Sequence, residues 1–222
     1  MRLTEEDHRL VAEAVAAAEA RTDGEIVTVV AQRSDAYHDV ALHWAVLAML
    51  AVPALLATFP HVAERWWALI DPWTARTPTS GLFLVALVLS ALAFLIVRVA
   101  LAPMGARMAL TPGATKARRV RRRALELFRA SAERRTKGRT GVLICLSLAE
   151  HRAELIADEA IHSRVAPELW GDAMAALIER TRAGRPGEGI ATAVEMVGRV
   201  LHEHFPRTDG DTNELPDRLV EL

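Results

Sequence analysis

The chain has 222 residues, 51% of them hydrophobic and 25% charged, with a mean hydropathy of +0.15, so its apolar residues are gathered in blocks and not spread evenly. A formal net charge of −1 hides a basic middle and an acidic C-terminus, so the total says little about partners. The single cysteine, Cys145, excludes an intramolecular disulfide and any multi-cysteine metal site.

The opening MRLTEEDHRLV has acidic residues and no apolar core after its first arginine, which argues against a signal peptide. Residues 4–20 place Leu10, Val11, Ala14, Val15 and Ala18 on one helical face, with Thr4 and Asp7 at capping-box spacing. Asp23-Gly24 then turns the chain into residues 25–32, a β-branched run of strand length.

Residues 40–59 contain no formal charge, and about 20 residues at about 1.5 Å each cross about 30 Å of hydrocarbon. A second uncharged run, 81–97, extends to 101 if Arg98 snorkels. Neither has the polar stripe of a soluble core helix, so both are predicted to span a membrane. Pro53 is tolerable inside a span when a neighbour satisfies the carbonyl it frees. His43 suggests a proton relay, but it lies near the start of its span beside Trp44, where an interfacial anchor is the better reading. Trp66, Trp67 and Trp73, in the connector 60–80, read as an aromatic belt at the opposite surface.

Basic residues orient the hairpin. The connector has only Arg65 and Arg76, whereas Arg2, Arg9, Arg21 and Arg33 precede the first span, and Arg98, Arg107, Lys116, Arg118, Arg119, Arg121, Arg122 and Arg123 end or follow the second. Both termini are therefore expected in the cytoplasm, in a two-span inner-membrane protein. The run Arg118, Arg119, Arg121, Arg122 and Arg123 reads as a membrane-surface and topology determinant attracted to anionic lipid heads, and, lacking interleaved aromatics, it does not predict a nucleic-acid partner.

Beyond the hairpin, residues 117–135 form a predicted basic helix ending near Lys137-Gly138, with Val120, Ala124, Leu127 and Phe128 inward. Residues 141–149 are an apolar strand suited to the centre of a covered sheet, and a third strand is expected at 152–157. Helices follow at 167–183 and 188–205, then a polar tail at 207–222. Neither soluble part builds a covered sheet alone, so residues 1–37 and 103–206 are expected to form one α/β domain interrupted by the hairpin 38–102. An even number of spans permits this.

The stretches RTGVLICLSLAEHRAELIADEAI, Trp170, GRPGEGIATAVEMVGRVLHEHFP and the N-terminal AEARTDGEIVTVV resemble the TPM-domain family, named for domains shared by a thylakoid lumen protein, a photosystem repair protein and a modulator of acetylcholine receptors. The resemblance covers residues 1–35 and 117–206, with the hairpin typical of a bacterial membrane subgroup. It implies a three-layer Rossmann-like α/β/α domain, usually membrane-associated. Acid phosphatase activity is claimed for some members, and others look like accessory or assembly factors; the matching motifs are mostly structural.

Phosphatase chemistry needs a nucleophile, or metals with acid-base groups. Cys145 and Arg152 are one residue too far apart for the cysteine-phosphatase spacing, and Cys145 sits in a strand, where it reads as core. Asp209-Gly210-Asp211-Thr212 resembles paired catalytic aspartates or, with Asn213, a calcium loop. It follows the last helix instead of a central strand, and Glu214 and Val220 occupy the positions such a loop reserves for glycine and glutamate. Gly187-x-Gly189 lacks a preceding strand and a third glycine, so no dinucleotide site is supported, and His202 and His204 lie on different helix faces.

The best candidate site is acidic: Glu150, His151, Glu154, Asp158 and Glu159, expected around the carboxyl end of the central strand and the next element, with Asp158 and Glu159 as candidate metal ligands. A solvated edge is the competing reading. The favoured function is a noncatalytic interaction or assembly module, needing no cofactor, whose expected partner is the bilayer, with another membrane protein as the second candidate. The alternative is a divalent-metal-dependent phosphatase at the acidic cluster.

Overall fold

The computed structural model describes residues 3–74, 76–131, 140–208 and 218–222, without the side chain of Pro167. The chain divides into two compact units: Met1–Asp35 with Gly113–Leu222, and Ala36–Pro112. The first is a mixed α/β unit whose residues come, in sequence, from before and after those of the second.

In the α/β unit, α1 (Glu5–Glu19) starts at a capping box: Thr4 N–H donates to Asp7 Oδ2 at 2.8 Å and Asp7 N–H to Thr4 Oγ1 at 3.2 Å. It buries Val11, Val15 and Ala18. Strand β1 (Glu25–Ala31) is buried throughout. Its Ile26 N–H donates to the Glu19 carboxylate at 2.7 Å, which ties the helix end to the strand start.

Helix α6 (Gly113–Ser131) turns Val120, Ala124 and Phe128 inward. It begins earlier than the apolar spacing predicts, and its predicted end at Lys137-Gly138 lies outside the described residues. Strands β2 (Gly141–Ser147) and β3 (Arg152–Ala157) follow, then the four-residue α7 (Glu159–His162), a 3-10 turn (Pro167–Trp170), α8 (Gly171–Arg182) and α9 (Pro186–His204). The helix expected at 167–183 is thus a 3-10 turn followed by a regular helix.

With a short last strand, β4 (Val220–Glu221), the sheet order is β3-β2-β1-β4. β1 and β2 are parallel, Glu25 opposite Gly141 and Ala31 opposite Ser147; β3 returns antiparallel, Ser147 opposite Arg152 and Val142 opposite Ala157. This antiparallel edge makes the sheet mixed, unlike the all-parallel doubly wound arrangement. One face packs Ile26, Val30, Val142, Ile144 and Leu146 against residues of α1, α8 and α9. The other packs Val27, Val29, Leu143, Cys145 and Ile156 against Ala124 and Phe128 of α6. The predicted polar tail is corrected at its end: Leu219 is buried, and β4 (Val220–Glu221) pairs parallel with Val29–Val30.

The other unit contains α2 (His38–Thr58), α3 (Pro60–Ile70), α4 (Thr79–Ala100) and the short α5 (Met104–Ala109). Both α2 and α4 are long and apolar enough to cross a membrane, and only 17% and 6% of their most apolar stretches are buried, far from the shielding of a soluble core helix. α2 continues through Pro53. The two helices pack together, their buried residues being Ala41 and Ala45 on α2 and Gly81 and Val85 on α4. At the hairpin's base the buried Arg107 donates to Ala36 O at 2.6 Å and Ala102 O at 3.1 Å, joining the lead-in of α2 to the exit of α4.

The expected connector is partly helix. On α3 the residues Val62, Ala63, Trp66, Trp67, Leu69 and Ile70 share one side of the helical wheel, and His61, Glu64 and Arg65 the other. Ala63 is buried, and a β-carbon at Gly81 would lie 2.8 Å from the Trp67 ring. Trp66, Leu69 and Ile70 remain exposed.

Candidate functional site

The antiparallel return of β3 decides what the acidic residues can do together. Glu150 and His151 lie in the turn at the carboxyl end of β2, but Asp158 and Glu159 lie past the far end of β3, beside Gly141 at the amino end of β2. The five steps from Arg152 to Ala157, at about 3.4 Å each, separate these ends by about 17 Å. The expectation that Asp158 and Glu159 sit at the carboxyl end is therefore corrected: nearness in sequence becomes distance along an extended strand.

Each carboxylate has its own structural surroundings. Buried Glu150 accepts from Ser34 N–H at 3.0 Å, from Ser34 Oγ–H at 2.6 Å and from Ser147 Oγ–H, holding the exits of β1 and β2 together. His151 is exposed in the left-handed region, φ 49°, where it completes the turn. Glu154 lies opposite Cys145, its carboxylate 3.9 Å from the Arg121 guanidinium. Burial raises the Glu154 pKa, opposed by Arg121 and Arg152.

Asp158 N–H donates to Gly141 O at 2.9 Å, while the Asp158 carboxylate accepts from Gly141 N–H at 3.0 Å, so this residue locks the start of β2 to the end of β3. Glu159 is exposed in the first turn of α7. Among the described residues, no three His, Cys, Asp or Glu side chains converge in the manner of a metal site.

The carboxyl ends of the parallel strands hold a polar group that sequence reading missed. Asp35 receives Arg119 at 2.9 Å and Arg122 at 3.3 Å, beside the Ser34–Glu150–Ser147 set. The polar run Gln32 to Asp35 directly after the β-branched strand was the available signal. The arginine run of α6 is consequently not uniform: Arg119 is mostly buried on Asp35, Arg123 reaches Glu126 at 3.4 Å, and Arg118, Arg121 and Arg122 are exposed.

Cys145 is buried, and its thiol is pushed up to about 11, first by burial and then by the Glu154 carboxylate, the opposite of nucleophile activation. Gly187 and Gly189 serve packing. A β-carbon at Gly187 would lie 2.1 Å from Asp7 Oδ1 on α1, and one at Gly189 would lie 2.9 Å from the Leu177 carbonyl oxygen on α8. His202 bonds Arg21 O through Nδ1 at 2.7 Å. The segment from Asp209 to Asn213 lies outside the described residues.

A cleft of 520 Å³ runs beside β3, lined by Arg121 and Leu125 of α6, by 153–157, and by Trp170 and Met174 on the other side. Hydrogen-bonded pairs of an antiparallel ladder recur at every second residue, and Asp158 bonds Gly141, so Arg152, Glu154 and Ile156 turn their backbone groups to β2. The amides and carbonyls of Ala153, Leu155 and Ala157 face away from the sheet. Among the described residues, no strand pairs with that edge.

No family model matches the chain. No curated protein matches it either. Among solved structures, it is similar to the NMR structure of the BA42 protein from the psychrophilic bacterium Bizionia argentinensis, with 17% sequence identity, a TM-score of 0.57, and coverage of 100% of this chain and 97% of that one. At this identity the likeness concerns the fold alone.

Proposed function

We propose that this chain is a TPM-domain protein, anchored in the cytoplasmic membrane by α2 and α4, whose Rossmann-like α/β unit faces the cytoplasm as a noncatalytic interaction or assembly module. The exposed apolar surfaces of two span-length helices support the anchor. The arginine-poor connector supports the orientation. Within this reading α3 lies at the outer interface, with Trp66, Leu69 and Ile70 toward lipid and Glu64 and Arg65 toward water.

The observation that carries the noncatalytic reading is the separation of the acidic residues. Hydrolysis at a metal requires carboxylates sharing one concave site. Here Glu150 fastens Ser34 and Ser147, and Asp158 fastens Gly141 at the other end of the strand. Both act as bolts of the sheet.

The test is turnover of p-nitrophenyl phosphate by the full chain in detergent, with calcium, magnesium or manganese, beside an Asp158→Asn, Glu159→Gln variant. The module reading expects no metal-dependent turnover that the variant removes. Such turnover, lost in a folded variant, would establish the phosphatase instead.

A further inference from the structure

The two edges of the sheet are treated differently. Beyond β1 the chain supplies its own cover, because Gln32 N–H donates to Leu222 O at 3.0 Å and Leu222 N–H to Val30 O at 2.9 Å around β4. At the other edge β3 runs for six residues without proline and in continuous register with β2. Its outward backbone groups at Ala153, Leu155 and Ala157 open into the cleft between α6 and α8. A strand edge of this kind is a template for another extended chain.

We propose that the edge of β3 binds an extended segment of a partner protein, which adds as a further strand and carries an acidic side chain toward α6 and apolar side chains toward α8. The proposal rests on the module reading and names the kind of partner it takes.

The main-chain groups define the occupant as a peptide, since alternate donors and acceptors along β3 match only another strand. Charge defines its side chains. Arg121 of α6 lines the cleft and is exposed, Arg118 is exposed three residues earlier on the same helix, and Arg152 precedes the cleft-lining residues 153–157 on β3. Glu154, opposing them, is partly buried and already beside Arg121. An acidic residue therefore suits the start of β3. Leu125, Trp170 and Met174 offer apolar contact.

The experiment is panning of a phage-displayed random dodecapeptide library against the full chain in phosphatidylcholine nanodiscs. Representative selected peptides are then synthesised and measured by fluorescence anisotropy and amide hydrogen exchange. The expected selection has an acidic residue followed by alternating β-branched apolar residues. Binding should slow exchange at Ala153, Leu155 and Ala157, vanish when alternate peptide amides are N-methylated, and weaken at least about tenfold in Arg121→Glu. N-methylation acts on the peptide alone, so it tests strand pairing even where the variant folds poorly.

No enrichment over empty nanodiscs, protection mapped to another face, or binding indifferent to N-methylation would overturn the proposal. Equally contrary would be an Arg121→Glu chain that loses affinity for phosphatidylserine vesicles but binds the peptides unchanged. These failures leave phosphate turnover untouched, so they are distinguishable from failure of the module reading.

Discussion

Replacement of Glu150 by alanine separates a structural carboxylate from a catalytic one. In the native chain this buried carboxylate accepts three hydrogen bonds, from Ser34 N–H, Ser34 Oγ–H and Ser147 Oγ–H. Hydrogen bonds to charged groups each contribute about 1.5–3 kcal/mol, and a buried donor left without an acceptor costs about 1–3 kcal/mol. Ser34 is half-buried and regains water, whereas Ser147 is 1% exposed and does not. With the Ser34 bonds replaced by water, the lost Ser147 bond and its orphaned donor together cost about 2.5–6 kcal/mol, equivalent to about 8–18 °C in Tm at about 3 °C per kcal/mol for a domain of this size. Circular dichroism melts of the full chain in detergent would measure it, with hydrogen exchange at the Ser34 amide as the local readout. Glu150→Gln retains one acceptor oxygen and should fall between native and alanine. An unchanged melting curve and an unchanged Ser34 exchange rate in Glu150→Ala would refute the role given to this residue.

Gly198→Ala should destabilise the α/β unit by about 1–3 kcal/mol, because the new methyl would lie 2.7 Å from the Ala18 methyl between α9 and α1; Gly171→Ala, with open space around it, is the control and should not lower Tm. Cys145 should resist iodoacetamide at pH 8 until the chain unfolds, since its thiol sits at about 11. Its raised pKa gives a defined pH dependence. The protonated thiol is favoured by the fold, so its contribution is complete below the unfolded value of 9.0 and is lost as pH rises through about 11. That loss should be absent in Cys145→Ala. In a Trp170→Phe background, brominated lipids should quench the remaining tryptophans, and Trp66→Phe should reduce that quenching, whereas equal quenching in both chains would contradict an interfacial α3.

Much of the fold was legible because the residues making it are locally consistent. The β-branched run of β1 and the apolar run of β2 each have strand length and leave little alternative. The capping box of α1 is written in Thr4 and Asp7. Both long apolar helices announce themselves by length and absence of charge. Less legible was anything set by pairing. Val220 and Glu221 form a strand only because β1 presents an edge to them, and nothing in a polar tail signals it. The acidic candidates looked like one cluster because sequence distance was read as spatial distance. Ser34, distant from Glu150 in sequence, meets it through the parallel pairing of β1 and β2, and Asp35 meets Arg119 where α6 packs on the sheet. Gly187 and Gly189 lacked the context of a nucleotide loop, and their packing role depends on Asp7 and Leu177, which only the packed helices bring near.

The most direct test of the account is membrane topology, read by a membrane-impermeant maleimide on bacterial spheroplasts expressing single-cysteine variants in a Cys145→Ser background. Asp71→Cys reports on the segment between α2 and α4, and Arg33→Cys reports on the α/β unit. The account predicts that Asp71→Cys reacts in intact spheroplasts and Arg33→Cys only after permeabilisation, with the chain remaining in carbonate-washed membranes. Equal reaction of both positions in intact cells, or release of the chain by carbonate, would contradict it.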